Sequence, residues 1–342
     1  MARTPDNQTW QVSAFTRVCW RSGAIEITSS TSPVTLRTTT THILDIMHSF
    51  ASPTAITDVI NTRSHLSRRE VIDCIDTLVD AGVLVPQSHE VHTAWEPTAL
   101  AYHQISRGQP HTNRAAHPQR SHQDSHRPVI TLAPPSPPPH RDFADVLAHR
   151  RSTRAWPQTP IAGSKFSTLL WMSAGTRPTS AASARRPYPS GGGIYSLEIY
   201  PVIGPGAVDS LDAGVYRYRP DQHAVEQLAA GAENSQPFLT AGAEAVGNDQ
   251  IPVLLVVSSR IAHQSADYYQ IGYSLVLKEV GCLFQNLYLV GEYLGLPGCA
   301  LGGGSPDSVL AELSGENALD HPVVGEFAIG PARSAEFDDT PQ

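Results

Sequence analysis

The sequence has 342 residues, a hydrophobic content of 40% and a formal net charge of −8. This length suits about two domains of common size, and the acidic balance gives no global reason to expect binding to nucleic acid or to a membrane surface. The four cysteines have no metal-type spacing, the first residues lack the apolar core of a signal peptide, and no apolar run is long enough to span a membrane. We therefore expect a cytoplasmic protein with reduced thiols and no metal site.

The composition divides the chain into three parts. Residues 1–107 and 142–342 have the patterns of folded domains, whereas residues 108–141 are rich in Pro, His, Ser and Gln and poor in large apolar side chains. Such a segment cannot bury enough surface to offset its chain entropy, so we interpret it as an exposed linker. Its five histidines are irregularly spaced, and a metal-binding tract is the alternative.

The first part is predicted to contain a hairpin, three helices and a strand. VCWRSGAIEIT has the form of a hairpin, and the apolar spacing in HILDIMHSF and PTAITDVINTR predicts two helices. A third helix begins at a capping box made by Ser67 and Glu70, and residues 83–85 follow as a strand. This order is typical of a winged-helix-like module.

The polar side of the third helix is acidic, with Glu70, Asp73, Asp76 and Asp80. Because an acidic helix is repelled by phosphates, we do not expect this module to bind nucleic acid. Peptide binding and a purely structural role, as a packed helical cap, both remain open.

The last part alternates helices and strands and indicates an α+β fold. Its predicted helices and strands are, in chain order, FADVLAHRR (helix), SKFSTLLWMSAGT (helix capped by Ser164), SLEIYPVI (strand), GVYRYRPDQHAVEQL (hairpin), IPVLLVVSS (central strand), a long buried helix over residues 268–295, GCALGGG (strand and glycine loop) and PVVGEFAIG (closing strand).

Two stretches could bind a ligand through charge or through bare backbone. Arg150, Arg151 and Arg154 surround Ser152, and three guanidinium groups with a hydroxyl suit a phosphate; a solvated basic surface is the alternative. In YPSGGGIYSLEIY, the glycines after Pro189 and Ser190 are followed by a strand, without the helix of a dinucleotide loop or the Lys-Ser/Thr of a Walker loop. Close approach of the backbone to a flat ligand and an ordinary glycine turn remain the options.

Two further stretches complete the candidate set. Asp267 and Tyr268 lie near the expected start of the long helix, where a carboxylate is favoured and either side chain could serve as an acid or base; a plain turn is the alternative. Gly302 and Gly303 follow a strand, as Gly191 and Gly192 precede one. Two glycine loops at strand ends suggest two walls of one ligand site.

The order of these motifs resembles a known family. The segments RRSTRAW, LLWMSAGT, RRPYPSGGGIYSLEIY, the long-helix pattern, LGGG and VGEFAIG are together similar to the flavin-dependent nitroreductase-like superfamily. More narrowly, they resemble the SagB/ThcOx-type dehydrogenases, the azoline oxidases of ribosomal peptide natural-product pathways. The resemblance covers about residues 142–332. The segment WEPTALAYHQISR also resembles the stretch that joins a winged-helix-like peptide-clamp region to the flavin domain.

The resemblance implies a nitroreductase-like α+β sandwich that binds FMN near the interface of a homodimer. Arg150, Arg151, Ser152 and Arg154 would hold the FMN phosphate and ribityl chain, and Arg333 could add to them. Pro189, Ser190, Gly191 and Gly192 would lie beside the flavin ring, with Gly302 and Gly303 in a later glycine loop near it.

The sequence departs from the family pattern at two places. The family's Lys-Tyr pair at the start of the long helix falls on Asp267 and Tyr268, so the tyrosine is kept and the lysine is replaced. The family's Gly-His pair is also absent, since Gly281 is followed by Cys282.

The resemblance implies oxidation of thiazoline or oxazoline rings in a ribosomally made peptide. Tyr268 is the first candidate for proton transfer and Asp267 the second, and oxygen would reoxidise the flavin. The expected partners are the azoline-containing precursor peptide, a cyclodehydratase complex and a second copy of the chain. Two alternatives remain: an NAD(P)H-dependent reductase of nitroaromatics or quinones, and an inactive scaffold that binds precursor peptide, which the missing lysine motivates.

Overall fold

A computed structural model describes residues 8–62, 66–89, 96–106, 127–137, 141–177, 185–268, 271–303 and 307–333. The chain divides into two compact units, Met1–Gly108 and Gln109–Gln342. The five histidines of the predicted linker lie outside the described residues.

In its described residues, the first unit combines two small antiparallel sheets with four α-helices. Its strands pair in the orders β5-β1-β6 and β2-β3-β4. Their bounds are β1 Thr9–Val12, β2 Thr16–Arg21, β3 Ala24–Ser29, β4 Thr35–Thr38, β5 Thr54–Ala55 and β6 Leu84–Pro86; the helices are α1 His42–Ser49, α2 Ile56–Thr62, α3 Arg68–Asp80 and α4 Pro97–Ser106.

The predicted helices and hairpin of this unit are confirmed. The capping box forms at α3, where the Ser67 hydroxyl accepts from the Glu70 amide at 3.3 Å and the Glu70 carboxylate accepts from the Ser67 amide at 2.8 Å. The apolar faces of α1 and α3 pack with β3 in one core that contains Ile27, Ile46 and Ile75. The likeness to a winged-helix module remains a prediction.

The second unit is built on one seven-stranded antiparallel sheet. Its strand order is β12-β13-β11-β8-β9-β10-β7. The strands are β7 Val129–Thr131, β8 Leu197–Ile203, β9 Gly214–Arg219, β10 Ala224–Ala230, β11 Val253–Ser259, β12 Gly298–Ala300 and β13 Val323–Ile329; the helices are α5 Phe143–His149, α6 Gly163–Ala174, α7 Ala232–Val246, α8 Ile261–Asp267, α9 Gly272–Leu294 and α10 Asp307–Ser314.

The central strand β11 carries both cores of this unit. Every one of its seven residues is buried. Val253, Leu255 and Val257 belong to the core that contains α6 and α9, whereas Leu254 and Val256 belong to the core with α7. Because strand side chains alternate between faces, the apolar run Val253–Val257 places this strand between two helical layers. The predicted α+β plan and the central strand are confirmed.

Two predictions about local structure are wrong. Part of the segment interpreted as a linker is strand β7, which pairs with β10 from Val129 opposite Glu226 to Thr131 opposite Ala224. Three strand residues among prolines give no readable periodicity. Helix α6 begins one residue before Ser164, after Ala162, and the amide of Gly163 is instead bound by the Asp209 carboxylate at 2.7 Å.

Within the described ranges, no helix is both long and apolar enough to cross a lipid bilayer. The same ranges contain no group of three or more His, Cys, Asp or Glu side chains arranged to hold a metal ion.

Candidate functional site

The arginine segment packs beside helix α9. Arg150 directly follows α5, and its guanidinium lies 5.1 Å from the centre of the Tyr288 ring. The hydroxyls of Ser152 and Tyr288 are 3.0 Å apart. Arg151 and Arg154 are exposed. The arginine segment thus exposes cationic groups to solvent, while Arg150 and Ser152 contact Tyr288 of α9.

Tyr288 also connects this segment to the second glycine loop. Its hydroxyl accepts a hydrogen bond from the Ala300 amide at 2.8 Å, at the end of β12. Gly302 and Gly303 follow and are exposed, and a Cβ added at either would meet no atom within 4 Å. The structure therefore brings the arginine segment and the start of the glycine loop together at one side of α9.

Arg333 lies in a second segment that is bound, like the arginine segment, near the connection between α9 and β12. The Thr153 amide donates to the Gly298 carbonyl at 2.9 Å, and the Ala332 amide donates to the Gly295 carbonyl at 3.1 Å. Arg333 is exposed. Both segments are thus hydrogen-bonded to the short connection between α9 and β12.

The first glycine stretch forms a tight turn against α8. Gly191–Gly193 make one turn of 3₁₀ helix, in which Gly192 has a φ of +67°. A Cβ at Gly192 would lie 2.8 Å from the Tyr268 hydroxyl oxygen, and one at Gly191 would lie 3.1 Å from the Gln264 side-chain nitrogen. Because these glycines have no side chains, the Tyr268 and Gln264 side chains can approach the backbone of the turn. Pro189 and Gly192 remain exposed.

The predicted position of Asp267 and Tyr268 needs correction. Helix α9 begins only at Gly272, and the two residues belong to the end of the separate short helix α8. Asp267 is the last residue of α8, where a helix dipole disfavours a carboxylate, so the argument from a helix start fails. Its side chain lies outside the described part. Tyr268 nevertheless reaches the glycine turn, as described above.

A buried carboxyl group lies behind this turn. The Ser190 hydroxyl donates to Glu279 of α9 at 2.8 Å and accepts from the Tyr195 amide at 2.8 Å. The Glu279 side chain is 2% exposed. Burial raises the pKa of Glu279 to about 7, although the Ser190 hydroxyl and the Arg186 charge act in the opposite direction.

Arg186 and Gln264 complete the polar groups behind the turn. Arg186 donates to the Tyr188 hydroxyl at 2.9 Å and to the Leu197 carbonyl at 2.7 Å. Gln264 is fully buried, and neither atom of its amide group has a hydrogen-bond partner among the described residues. Buried polar groups without partners are uncommon and often mark sites of function.

Sequence reasoning missed Glu279, Gln264, Arg186 and Tyr288. Glu279 did leave a signal, because it is a carboxylate near the middle of a helix that is apolar over much of its circumference. Nothing in the sequence distinguishes Tyr288 from the other aromatic residues of α9.

The two groups of predicted residues lie on different sides of α9. Glu279, behind the glycine turn, and Tyr288, beside the arginines, are nine residues apart, which is about two and a half helical turns. Both groups fit parts of FMN: guanidiniums and a hydroxyl suit the phosphate, and an exposed glycine turn allows a planar ring to approach the backbone.

Comparison with known proteins identifies the second unit. The family model described as "Nitroreductase family" matches residues 147–330, more than half of the chain. A protein of Methanocaldococcus jannaschii described as a nitroreductase is 28% identical over 158 residues, which are 46% of this chain and 77% of that protein. The microcin B17-processing protein McbC of Escherichia coli is 27% identical over 147 residues, 42% of this chain and 54%, about half, of McbC.

A solved structure shows the same fold. The crystal structure of a protein from Anabaena variabilis, described as a nitroreductase, matches with a TM-score of 0.53 at 19% identity. The match covers 73% of this chain and 50% of that one.

Proposed function

The chain belongs to the nitroreductase family, and from that premise we propose that it is an FMN-dependent dehydrogenase that converts thiazoline or oxazoline rings of a ribosomally made peptide into azoles. The expected nitroreductase-like fold is confirmed by the family match, and the likeness to the microcin B17-processing protein McbC supports a place in the azoline-oxidising branch. The observation that carries the proposed reaction is the Tyr268 hydroxyl, held against Gly192 at the predicted ring-binding turn.

The reaction removes two hydrogens from adjacent ring carbons. One leaves as a proton to a base of the chain and the other leaves with an electron pair, so the ring gains a double bond and becomes aromatic. Bound FMN supplies the acceptor for the electron pair, and dioxygen, reduced to hydrogen peroxide, restores the oxidised cofactor.

The chain's own residues divide these tasks. Tyr268 is the first candidate to move the proton, because its hydroxyl lies beside Gly192 of the turn, and Asp267 is the second. The FMN-binding residues are proposed as two sets, one for the phosphate and ribityl chain and one for the ring: Arg150, Arg151, Ser152, Arg154 and Arg333, and Pro189, Ser190, Gly191, Gly192, Gly302 and Gly303.

A homodimer is part of the proposal. The phosphate-type and ring-type residues flank opposite sides of α9, so an FMN that contacts both sets is readily accommodated if each set comes from a different copy. The helical layer with α5 and α9 also exposes apolar side chains, among them Phe143, Leu147 and Leu277. We propose that these side chains contribute to the contact between the two copies, since exposed apolar patches mark interaction sites.

The first unit offers a place for the precursor peptide. A cavity of about 370 Å³ lies between β4, α1 and α3, with Leu36, Ile43 and Cys74 among its lining residues. Strand β4 is the last strand of its sheet, so its outer backbone groups can pair with an extended peptide. We propose that the leader segment of the peptide binds in this groove. A cyclodehydratase complex would supply the azoline rings.

Stopped-flow reduction of the bound flavin tests the function. When oxygen is excluded, an azoline peptide should reduce the flavin and bleach its absorbance. Mass spectrometry should show that the peptide loses two hydrogen atoms for each flavin reduced. A colourless protein that cannot be reconstituted with FMN would contradict the proposal.

The second candidate is an NAD(P)H-dependent reductase of nitroaromatics or quinones, favoured by the likeness to the M. jannaschii protein. The same experiment separates the two. Rapid flavin reduction by NAD(P)H, together with no reduction by the azoline peptide, would replace the leading proposal.

A further inference from the structure

The Ser190 hydroxyl is held between a donor and an acceptor. The Tyr195 amide donates to it, and it donates to Glu279, each at 2.8 Å. A serine hydroxyl has one hydrogen to donate and two lone pairs to accept with. While Glu279 is ionised, the single hydrogen is therefore directed inward, toward the carboxylate.

Protonation of Glu279 reverses this arrangement. The protonated carboxyl group becomes a donor to Ser190, and the Tyr195 amide already fills the other lone pair. With both lone pairs used, the hydrogen of Ser190 has to point elsewhere. The exposed side of the turn, at Pro189 and Gly192, is the direction left open.

We propose that Glu279 is a positioning residue that sets the direction of the Ser190 hydroxyl: ionised, it holds the hydroxyl inward, and protonated, it frees the hydroxyl to donate to the cofactor at the glycine turn. The inference rests on the proposed function only for the identity of that cofactor. Glu279 itself is buried and acts through Ser190.

The surroundings of Glu279 permit both protonation states. One carboxylate oxygen, Oε1, has no hydrogen-bond partner among the described residues. The two nearby cations make their own contacts: Arg186 binds Tyr188 and the Leu197 carbonyl, and Arg260 lies 3.6 Å from Glu198. These charges and the Ser190 and Leu197 hydrogen bonds favour the ionised form, while burial favours the neutral one.

The flavin spectrum of the FMN-loaded protein tests the inference. In the wild type, we expect one pH-dependent change of the visible flavin absorption, centred near pH 7. Glu279→Gln should abolish this change, because the amide does not gain or lose a proton in this pH range. Ser190→Ala should abolish it as well, and Ser190→Thr, which keeps the hydroxyl, should retain it.

Glu292→Gln is the matched control. Glu292 lies on the same helix and pairs with Arg141 at 2.9 Å, so this variant should keep the wild-type titration. A wild type without the spectral change, or a Glu279→Gln variant that keeps it, would overturn the inference.

A second measurement does not need the cofactor. In protein labelled with ¹³C at glutamate carboxyl groups, the Glu279 signal should titrate near neutral pH, and its midpoint should rise by about one pH unit in Ser190→Ala. A Glu279 that stays ionised down to about pH 5 in this experiment would overturn the inference even if FMN binds. A protein that fails to bind FMN but shows the Glu279 carboxyl titration, with its shift in Ser190→Ala, would contradict the proposed function and leave the Glu279–Ser190 pair intact.

Discussion

Two buried glutamates of the second unit differ because their partners differ. Burial disfavours the ionised form of both. At Glu198, the His321 hydrogen bond, the charges of Arg217 and Arg260 and the Tyr200 hydroxyl outweigh burial and hold its pKa below the usual range. At Glu279 the favourable hydrogen bonds and the charges of Arg186 and Arg260 do not outweigh burial. Glu198 therefore acts as a fixed charge, whereas Glu279 can change its charge near neutral pH.

The raised pKa of Glu279 predicts that stability depends on pH. Folding raises this pKa from about 4.5 to about 7, so the folded state binds the proton more tightly and is favoured at low pH. The free energy of unfolding should contain a contribution on the order of 3 kcal/mol below pH 4.5 that is lost as the pH rises through 7. Urea unfolding of the wild type, Glu279→Gln and Glu292→Gln over this range measures it. The glutamine at position 279 should remove this contribution and the one at 292 should not; equal pH dependence in all three proteins would contradict the assignment.

The hydroxyl of Tyr268 is predicted to be needed for turnover and not for binding FMN. Tyr268→Phe keeps the ring and removes only the oxygen that contacts the glycine turn, so azole formation should slow by about a hundredfold or more. The flavin content should stay unchanged. Tyr273→Phe, at an exposed tyrosine at the start of α9, is the control. Unchanged single-turnover oxidation in Tyr268→Phe would remove its proposed role.

At the level of elements, the glycine turn and α8 are fitted to each other. Gly192 adopts a left-handed backbone conformation and also leaves the space that the Tyr268 ring occupies. Gly193 has a similar φ of +71° but nothing within 4 Å of the place where a Cβ would be. Substitutions at Gly192 and Gly193 can therefore distinguish the cost of backbone strain from the cost of a clash with Tyr268.

Alanine at these two positions should have unequal effects. Gly193→Ala should cost about 1 kcal/mol of unfolding free energy, from the left-handed backbone alone. Gly192→Ala should cost about 1–2 kcal/mol more, because Tyr268 has to move, and should also lower the rate of oxidation. Urea unfolding and single-turnover kinetics measure the two effects. Equal losses in both variants would show that Tyr268 does not pack against the turn in solution.

For the whole molecule, the proposed dimer gives the sharpest test. Leu277→Glu places a charge among the exposed apolar side chains of the α5 and α9 layer, and it should convert a dimer to monomers with weaker FMN binding. Light scattering and the bound flavin content measure both. The control is Leu319→Glu, at a leucine that is 84% exposed on a loop, and it should change neither. A wild type that is monomeric with FMN bound would contradict the two-copy site.

The sequence predicts elements better than it predicts how they meet. The helix α3, the β9–β10 hairpin and the apolar β11 follow from local periodicity and turn residues, and all three are confirmed. The predicted position of Tyr268, near the start of the long helix, is wrong, because the tyrosine lies at the end of α8. The sequence contains no strong helix breaker, such as proline, between α8 and α9. Glu279 and Ser190 are 89 residues apart, and only the packing of α9 against the turn reveals that they form a pair.

The short strand β7 gives the Pro-rich segment a protective role. A sheet that ended at β10 would expose a seven-residue row of unpaired backbone groups, on which another chain could build. Strand β7 covers part of that row and is itself a poor template, because it has three residues, with Pro128 before it and Pro134 and Pro135 soon after. Shortening this segment would thus carry a risk of aggregation unless residues 127–135 were kept.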